Sequence, residues 1–219
     1  MKHRELMGNR STGVIAQMLS CLASMPWIRT AKLRMRDAWW TVRGMAVRNP
    51  HLPMQPRTLL FVCKGNICRS PFAAAVATRW LQGAARPDVR CLSAGFRVSD
   101  EDRSPLEAVQ ASRRFGVVLD HHRSAPLSAQ LMEAADAVVV MEVAHLSLLR
   151  RHYPALRNRV YLLPLFEPGP ARPTGYFRYT IADPYGQPAE AFSLCYGRIA
   201  VAIDGMFRAV FGGSVWCRG

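Results

Sequence analysis

Thr58-Leu59-Leu60-Phe61-Val62-Cys63-Lys64-Gly65-Asn66-Ile67-Cys68-Arg69-Ser70-Pro71 is the stretch whose reading decides the fold. Residues 59–62 form a short continuous apolar run, the pattern of a parallel strand buried on both faces, and Pro71 opens an Ala-rich segment of helical character. Between strand and helix lies a loop in which five residues separate Cys63 from Arg69. That spacing lets the backbone curl with successive N–H groups turned inward while the guanidinium closes the rim. Such a nest at a helix N-terminus binds a tetrahedral oxyanion. The inward amides, the helix N-terminus and Arg69 together stabilise a thiolate, so Cys63 is placed as a nucleophile beneath an anion site. Arg suits the rim better than Lys because its planar fork holds two equatorial phosphoryl oxygens. Gly65 allows close approach, and Asn66 tolerates a left-handed backbone. Lys64, Ile67, Cys68 and Ser70 complete the loop. A buried Cys beside an incidental Arg is the competing reading of the five-residue spacing, and the full string from Val62 to Pro71 argues against it.

This string resembles the phosphate loop of the low-molecular-weight protein tyrosine phosphatases, and Asp183-Pro184-Tyr185-Gly186 resembles that family's general-acid loop. The resemblance runs over roughly residues 58–211. It implies an α/β three-layer sandwich around a four-stranded parallel sheet of order 2-1-3-4, with the phosphate loop between the first strand and the first helix. It also implies hydrolysis of phosphate monoesters with no metal and no cofactor. Cys63 is then the nucleophile, Arg69 holds the equatorial oxygens, Asp183 is the acid and base, and Ser70 donates to the sulfur. Asp-Pro is a common turn, so Asp183 owes its role to the resemblance alone. Ser93 and His122, with His121 adjacent, are implied to support Asn66. Tyr185 lines a cleft for a phosphotyrosine ring, and Cys68 is placed to trap an oxidised Cys63 as a disulfide.

The sequence departs from the family pattern in places. Glu142 stands where Asp is common, the loop over residues 96–105 is unusual, and the segment over residues 167–179 is longer than in typical members. Ile67 bears on the substrate: arginine phosphatases of this fold resemble this loop with Thr there, whereas a β-branched apolar side chain suits a flat aromatic ring. The other readings are a protein-arginine phosphatase, an arsenate reductase, for which Cys91 is the nearby relay candidate but lacks a paired cysteine, and a phosphate-binding module without turnover.

The chain has 219 residues and a net charge of +14. Residues 1–57 carry ten Lys or Arg against two acidic residues, so more than half of the excess lies outside the resemblance. No nucleic-acid partner is expected. Six Cys without regular spacing fit a reducing cytoplasm better than a disulfide scaffold. Residues 13–28 are free of charge and superficially resemble a signal-peptide core, but the best small-x-small site, Cys21-Leu22-Ala23, is poor, and the stretch is short for a membrane span.

In residues 27–48, Ile28, Ala31, Met35, Ala38, Val42 and Met45 recur at helical spacing, joined by Trp39 and Ala46. This basic amphipathic helix either packs on the catalytic domain or meets an anionic membrane surface, which would place the enzyme beside a membrane tyrosine kinase. Pro50, Pro53 and Pro56 follow as a linker. Because every catalytic motif lies beyond Thr58, the arm is expected to be dispensable for small substrates. Further elements are expected as helices over 72–81, 105–115, 146–153 and 190–211 and strands over 89–92, 137–141 and 159–163, with Gly116 as a helix C-cap.

Overall fold

The computed structural model describes residues 26–98, 102–169 and 173–212, so the charge-free stretch at 13–28 falls almost wholly outside the described residues. In chain order, α1 (Pro26–Met45) precedes β1 (Thr58–Cys63), α2 (Arg69–Gly83), β2 (Arg90–Gly95), α3 (Leu106–Arg113), α4 (Ala129–Ala134), β3 (Ala137–Val140), α5 (Val143–His152), β4 (Val160–Leu162) and α6 (Ala189–Phe211). The four strands form one sheet of order β2-β1-β3-β4 with every pair parallel.

Alternation along the strands divides the core into two layers. Leu59, Phe61, Val139 and Tyr161 face Phe72, Ala77, Trp80, Tyr196 and Ile203, on the side of α2, α3 and α6. Leu60, Val62, Val138, Val140 and Leu162 face Met132, Val143, Leu146 and Leu149, on the side of α4 and α5. The helical layers are held by aromatic contact as well as area, with the rings of Phe72 and Tyr196 stacked at 3.8 Å.

α2 starts at Arg69, two residues before the proline that signals it. A proline in the first turn has no N–H to lose, so Arg69 and Ser70 can join the helix ahead of it. This brings the helix N-terminus against the loop at the carboxyl end of β1, where the strand order reverses and where open α/β sheets bind ligands.

The arm packs on the domain through a face that hydrophobic periodicity does not single out. Trp40 and Val47 pack at the edge of the core layer that holds α5, and Gly44 is buried. A Cβ on Gly44 would lie 2.4 Å from the Tyr179 ring, so only glycine permits this approach. Arg36 lies over the Tyr176 ring at 5.6 Å. After the helix, the Asn49 amide donates to the Leu162 carbonyl at 3.0 Å and accepts from its N–H at 2.8 Å, and the Tyr161 hydroxyl donates to the His51 carbonyl. The face carrying Met35, Trp39, Val42 and Met45 is exposed instead, Met35 to 74% and Val42 to 67%. No described helix is long and apolar enough to cross a membrane.

Candidate active site

The loop from Lys64 to Cys68 closes on Cys63. The Asn66 N–H donates to the Cys63 sulfur at 3.3 Å, and the Ser70 hydroxyl lies 3.0 Å from it. Ser70 accepts from the Asn66 side-chain amide at 2.8 Å, so its one proton goes either to the sulfur or to the Ala94 carbonyl, 3.3 Å away. A thiolate decides that choice, because a charged acceptor makes the stronger hydrogen bond.

Asn66 takes φ +55°, the left-handed backbone anticipated for it. Three contacts hold it there. Its side-chain oxygen accepts from the Ala125 N–H at 2.7 Å, its amide holds Ser70, and His122 Nε2 meets its carbonyl at 2.7 Å. The carbonyl can only accept, so His122 carries its proton on Nε2. Burial pushes the His122 pKa below its ordinary value against the pull of that carbonyl, which keeps the ring neutral.

Two expectations change. Ser93 takes no part in the buttress: it sits in β2 opposite Phe61, and the atom of β2 that the loop uses is the carbonyl of the next residue, Ala94. The glycine that the loop packing requires is Gly95 rather than Gly65. A Cβ on Gly95 would lie 2.8 Å from the Asn66 nitrogen, whereas one on Gly65 would make only ordinary contacts, with Ile67 at 3.6 Å and the Arg97 carbonyl at 3.8 Å.

Arg69 is 1% exposed and bears its charge among three oxygens. Nη1 donates to Glu142 Oε1 at 2.5 Å and to the Ile181 carbonyl at 3.0 Å, and Nη2 stands 2.8 Å from Asp183 Oδ2. The last contact is an ion pair without hydrogen-bond alignment, so Nη2 and Nε remain buried donors lacking an acceptor. Burial disfavours the charge on Arg69, but Glu142, Cys63 and Asp183 outweigh it and raise its pKa. The Glu142 carboxyl is likewise opposed by burial, yet Arg69, His145 and Lys64 hold it below its ordinary value.

Glu142 was visible in the sequence only as a departure from Asp, and its pairing with Arg69 was not. The pairing follows from a single bridge between Glu142 and Thr180, which brings the end of β3 beside the segment leading to Asp183. His145, 3.7 Å from Glu142 and packed on Phe96, also escaped sequence reasoning, since its only signal was a spacing of three residues on a helix.

Cys63, Lys64, Gly65, Ile67, Cys68, Arg69, Asp183 and Tyr185 surround one cleft of about 200 Å³, together with Arg97 and Asp102. The sites expected from two distant motifs are thus brought together. The long segment before Asp183 does border this region, through Pro173 and Phe177 in a neighbouring groove. Cys91 lies opposite Leu59, near the far end of β1 from Cys63, and burial pushes its thiol up to about 11. Cys195 lines a neighbouring groove with Asp183, and burial pushes its thiol up to about 12. Burial disfavours the thiolate at both.

Comparison with known proteins agrees with this geometry. The family described as low molecular weight phosphotyrosine protein phosphatase matches residues 58–211. Among relatives, a probable low molecular weight protein-tyrosine-phosphatase EpsP of Ralstonia nicotianae is 30% identical over 68% of this chain and 92% of its own. A protein-arginine-phosphatase of Geobacillus stearothermophilus is 29% identical over 68% of this chain and 93% of its own. The crystal structure of the Erwinia amylovora tyrosine phosphatase AmsI superimposes with a TM-score of 0.61 at 28% identity, covering 72% of this chain and 95% of that one.

Proposed function

Because this chain belongs to the low molecular weight phosphotyrosine protein phosphatases, we propose that it hydrolyses phosphotyrosine in proteins through a cysteinyl-phosphate. The observation that carries the reading is the buried Arg69 with Nε and Nη2 unsatisfied beside the Cys63 sulfur. Two such donors suit two equatorial phosphoryl oxygens, and they add to the inward amides of the loop.

In the first step the Cys63 sulfur attacks phosphorus in line as the bond to the leaving oxygen breaks, and Asp183 gives that oxygen its proton. An arriving phosphate takes over Nη2 from the Asp183 carboxylate, which then takes up a proton, from the phosphate monoanion or from water, and carries it to the leaving oxygen. In the second step water attacks phosphorus, Asp183 takes its proton, and the S–P bond breaks. Ser70 donates to the departing sulfur. All of the positive charge required comes from Arg69 and the loop backbone.

Ile67 on the cleft wall and Tyr185 at its mouth favour a flat ring, which supports phosphotyrosine over phosphoarginine. We carry over from the resemblance a physiological substrate among the membrane tyrosine kinases of surface-polysaccharide synthesis. The arm supports a cytoplasmic enzyme held against an anionic membrane: Met35, Trp39, Val42 and Met45 are exposed on a helix that also bears Lys32, Arg34 and Arg43. Each such charge near an anionic surface contributes about 1 kcal/mol.

Phosphotyrosine, phosphoserine and phosphoarginine peptides assayed side by side, with Cys63→Ser as control, test the catalytic reading. Faster release from phosphoarginine would overturn the choice of substrate, and no release from any of them would leave a binding module. Asp183→Ala is expected to slow poor leaving groups most. For the membrane, Met35→Asp/Val42→Asp is expected to abolish sedimentation with phosphatidylserine vesicles without changing aryl-phosphate hydrolysis. A wild-type chain that stays in the supernatant refutes the contact.

A further inference from the structure

We propose that the N-terminal arm is a positioning element for the catalytic site, acting through Tyr179 on the segment that carries Asp183 and one anchor of Arg69. The proposal rests on the phosphatase reading and concerns the regulation of that same site. It reverses the expectation, drawn from the position of the motifs, that the arm is dispensable for small substrates.

The connection is short and each link is a contact. Gly44 of α1 lies against the Tyr179 ring with no space for a side chain. The Tyr179 carbonyl accepts from the Val143 N–H at 3.0 Å, and the Ile181 N–H donates to the Met141 carbonyl at 2.9 Å. With the bridge between Glu142 and Thr180, these bonds zip the segment against the end of β3. One zipped partner supplies Glu142 and the other supplies the Ile181 carbonyl, the two acceptors on Arg69 Nη1. Asp183 follows two residues later and meets Nη2. Arg36 over Tyr176 presses on the same segment from outside, and the Tyr176 carbonyl accepts from the Tyr179 N–H.

The segment is irregular chain between the 3-10 turn Gly175–Arg178 and α6. From α6, Arg198 donates to the Thr180 and Phe177 carbonyls at 2.9 and 2.8 Å, and Thr180 and Ile181 are buried. Docking of α1 on Tyr179 and the Asn49 bonds to Leu162 add a further constraint that originates in the arm. The exposed face of α1 points away from this contact, so an outside surface can engage the arm without undoing it.

The test compares Gly44→Val and the milder Asn49→Ala with the wild-type full chain on two substrates, phenyl phosphate and 4-nitrophenyl phosphate. A displaced acid matters most for the poor leaving group. We expect kcat/KM to fall about tenfold on phenyl phosphate and less than about twofold on 4-nitrophenyl phosphate for Gly44→Val, with Asn49→Ala intermediate. Parallel loss on both substrates in both variants, as simple unfolding gives, overturns the proposal. So does unchanged kinetics in variants whose arm has become sensitive to protease. Wild type inactive on both substrates would instead sink the phosphatase reading.

Discussion

Replacing Glu142 with Gln keeps an oxygen to accept from Arg69 and removes the charge that faces it. The pair joins a guanidinium that is 1% exposed to a carboxylate that is 19% exposed, at 2.5 Å. A hydrogen bond to a charged group contributes about 1.5–3 kcal/mol, and removing one member of a buried pair outright costs about 3–5 kcal/mol. Asp183 and the Ile181 carbonyl stay on the guanidinium, and the amide retains part of the bond. The expected loss near neutral pH is therefore about 2 kcal/mol. It depends on pH in a defined sense. Although burial works against the charge, Arg69 and its neighbours hold the folded-state Glu142 pKa below the ordinary 4.5. Such a carboxyl contributes stability that is fully present above the unfolded value and is lost as the pH falls through the folded one. Urea unfolding of wild type and Glu142→Gln at neutral pH, and in steps below pH 4.5, gives the difference directly. The gap should close as the pH falls. A gap that stays constant to low pH, or that is under about 0.5 kcal/mol at neutral pH, refutes the account of how Arg69 is kept charged and aimed.

Cys63→Ser should abolish turnover yet retain binding of inorganic phosphate by calorimetry, because Arg69 and the loop amides remain. Ile67→Thr should shift the ratio of rates on phosphotyrosine and phosphoarginine peptides toward phosphoarginine. Gly95→Ala places a Cβ against the Asn66 and Gly65 backbone, and it is expected to cost about 1–3 kcal/mol in unfolding and to lower kcat more than it raises KM. Cys68→Ser should turn reversible peroxide inactivation into loss that thiol no longer restores, measured as activity regained with dithiothreitol.

The parts of the molecule legible in the sequence were those written in contiguous residues. The apolar run of β1, the loop that follows and the Asp183 loop each carry their signal within a few positions. The left-handed Asn66 and Gly116, the latter at φ +66°, are local demands of the backbone and could be read in the same way, although the helix before Gly116 ends at Arg113 and Arg114, not Gly116, is its C-cap. What escaped depends on distant chain. The Arg69–Glu142 pair needs Met141–Val143 beside Tyr179–Ile181, and the Ala125 N–H that holds Asn66 belongs to a loop with no pattern of its own. The helix Ala129–Ala134 is too short for periodicity to register. The arm is the most instructive case. Counting apolar residues finds its Met35 and Val42 face, whereas the face that docks is centred on Gly44, which such counting scores as nothing.

The two bonds from Asn49 to Leu162 also bear on solubility. β4 is an outer strand of the sheet, and an uncovered outer strand offers a template to any passing chain. Asn49 answers both the N–H and the carbonyl of Leu162 with one side chain, so the sheet cannot be extended at that point. A protein shortened to the matched segment would expose this edge, and its copies could then pair strand to strand. Turbidity in such a preparation would report self-templating rather than the loss of a lipid contact.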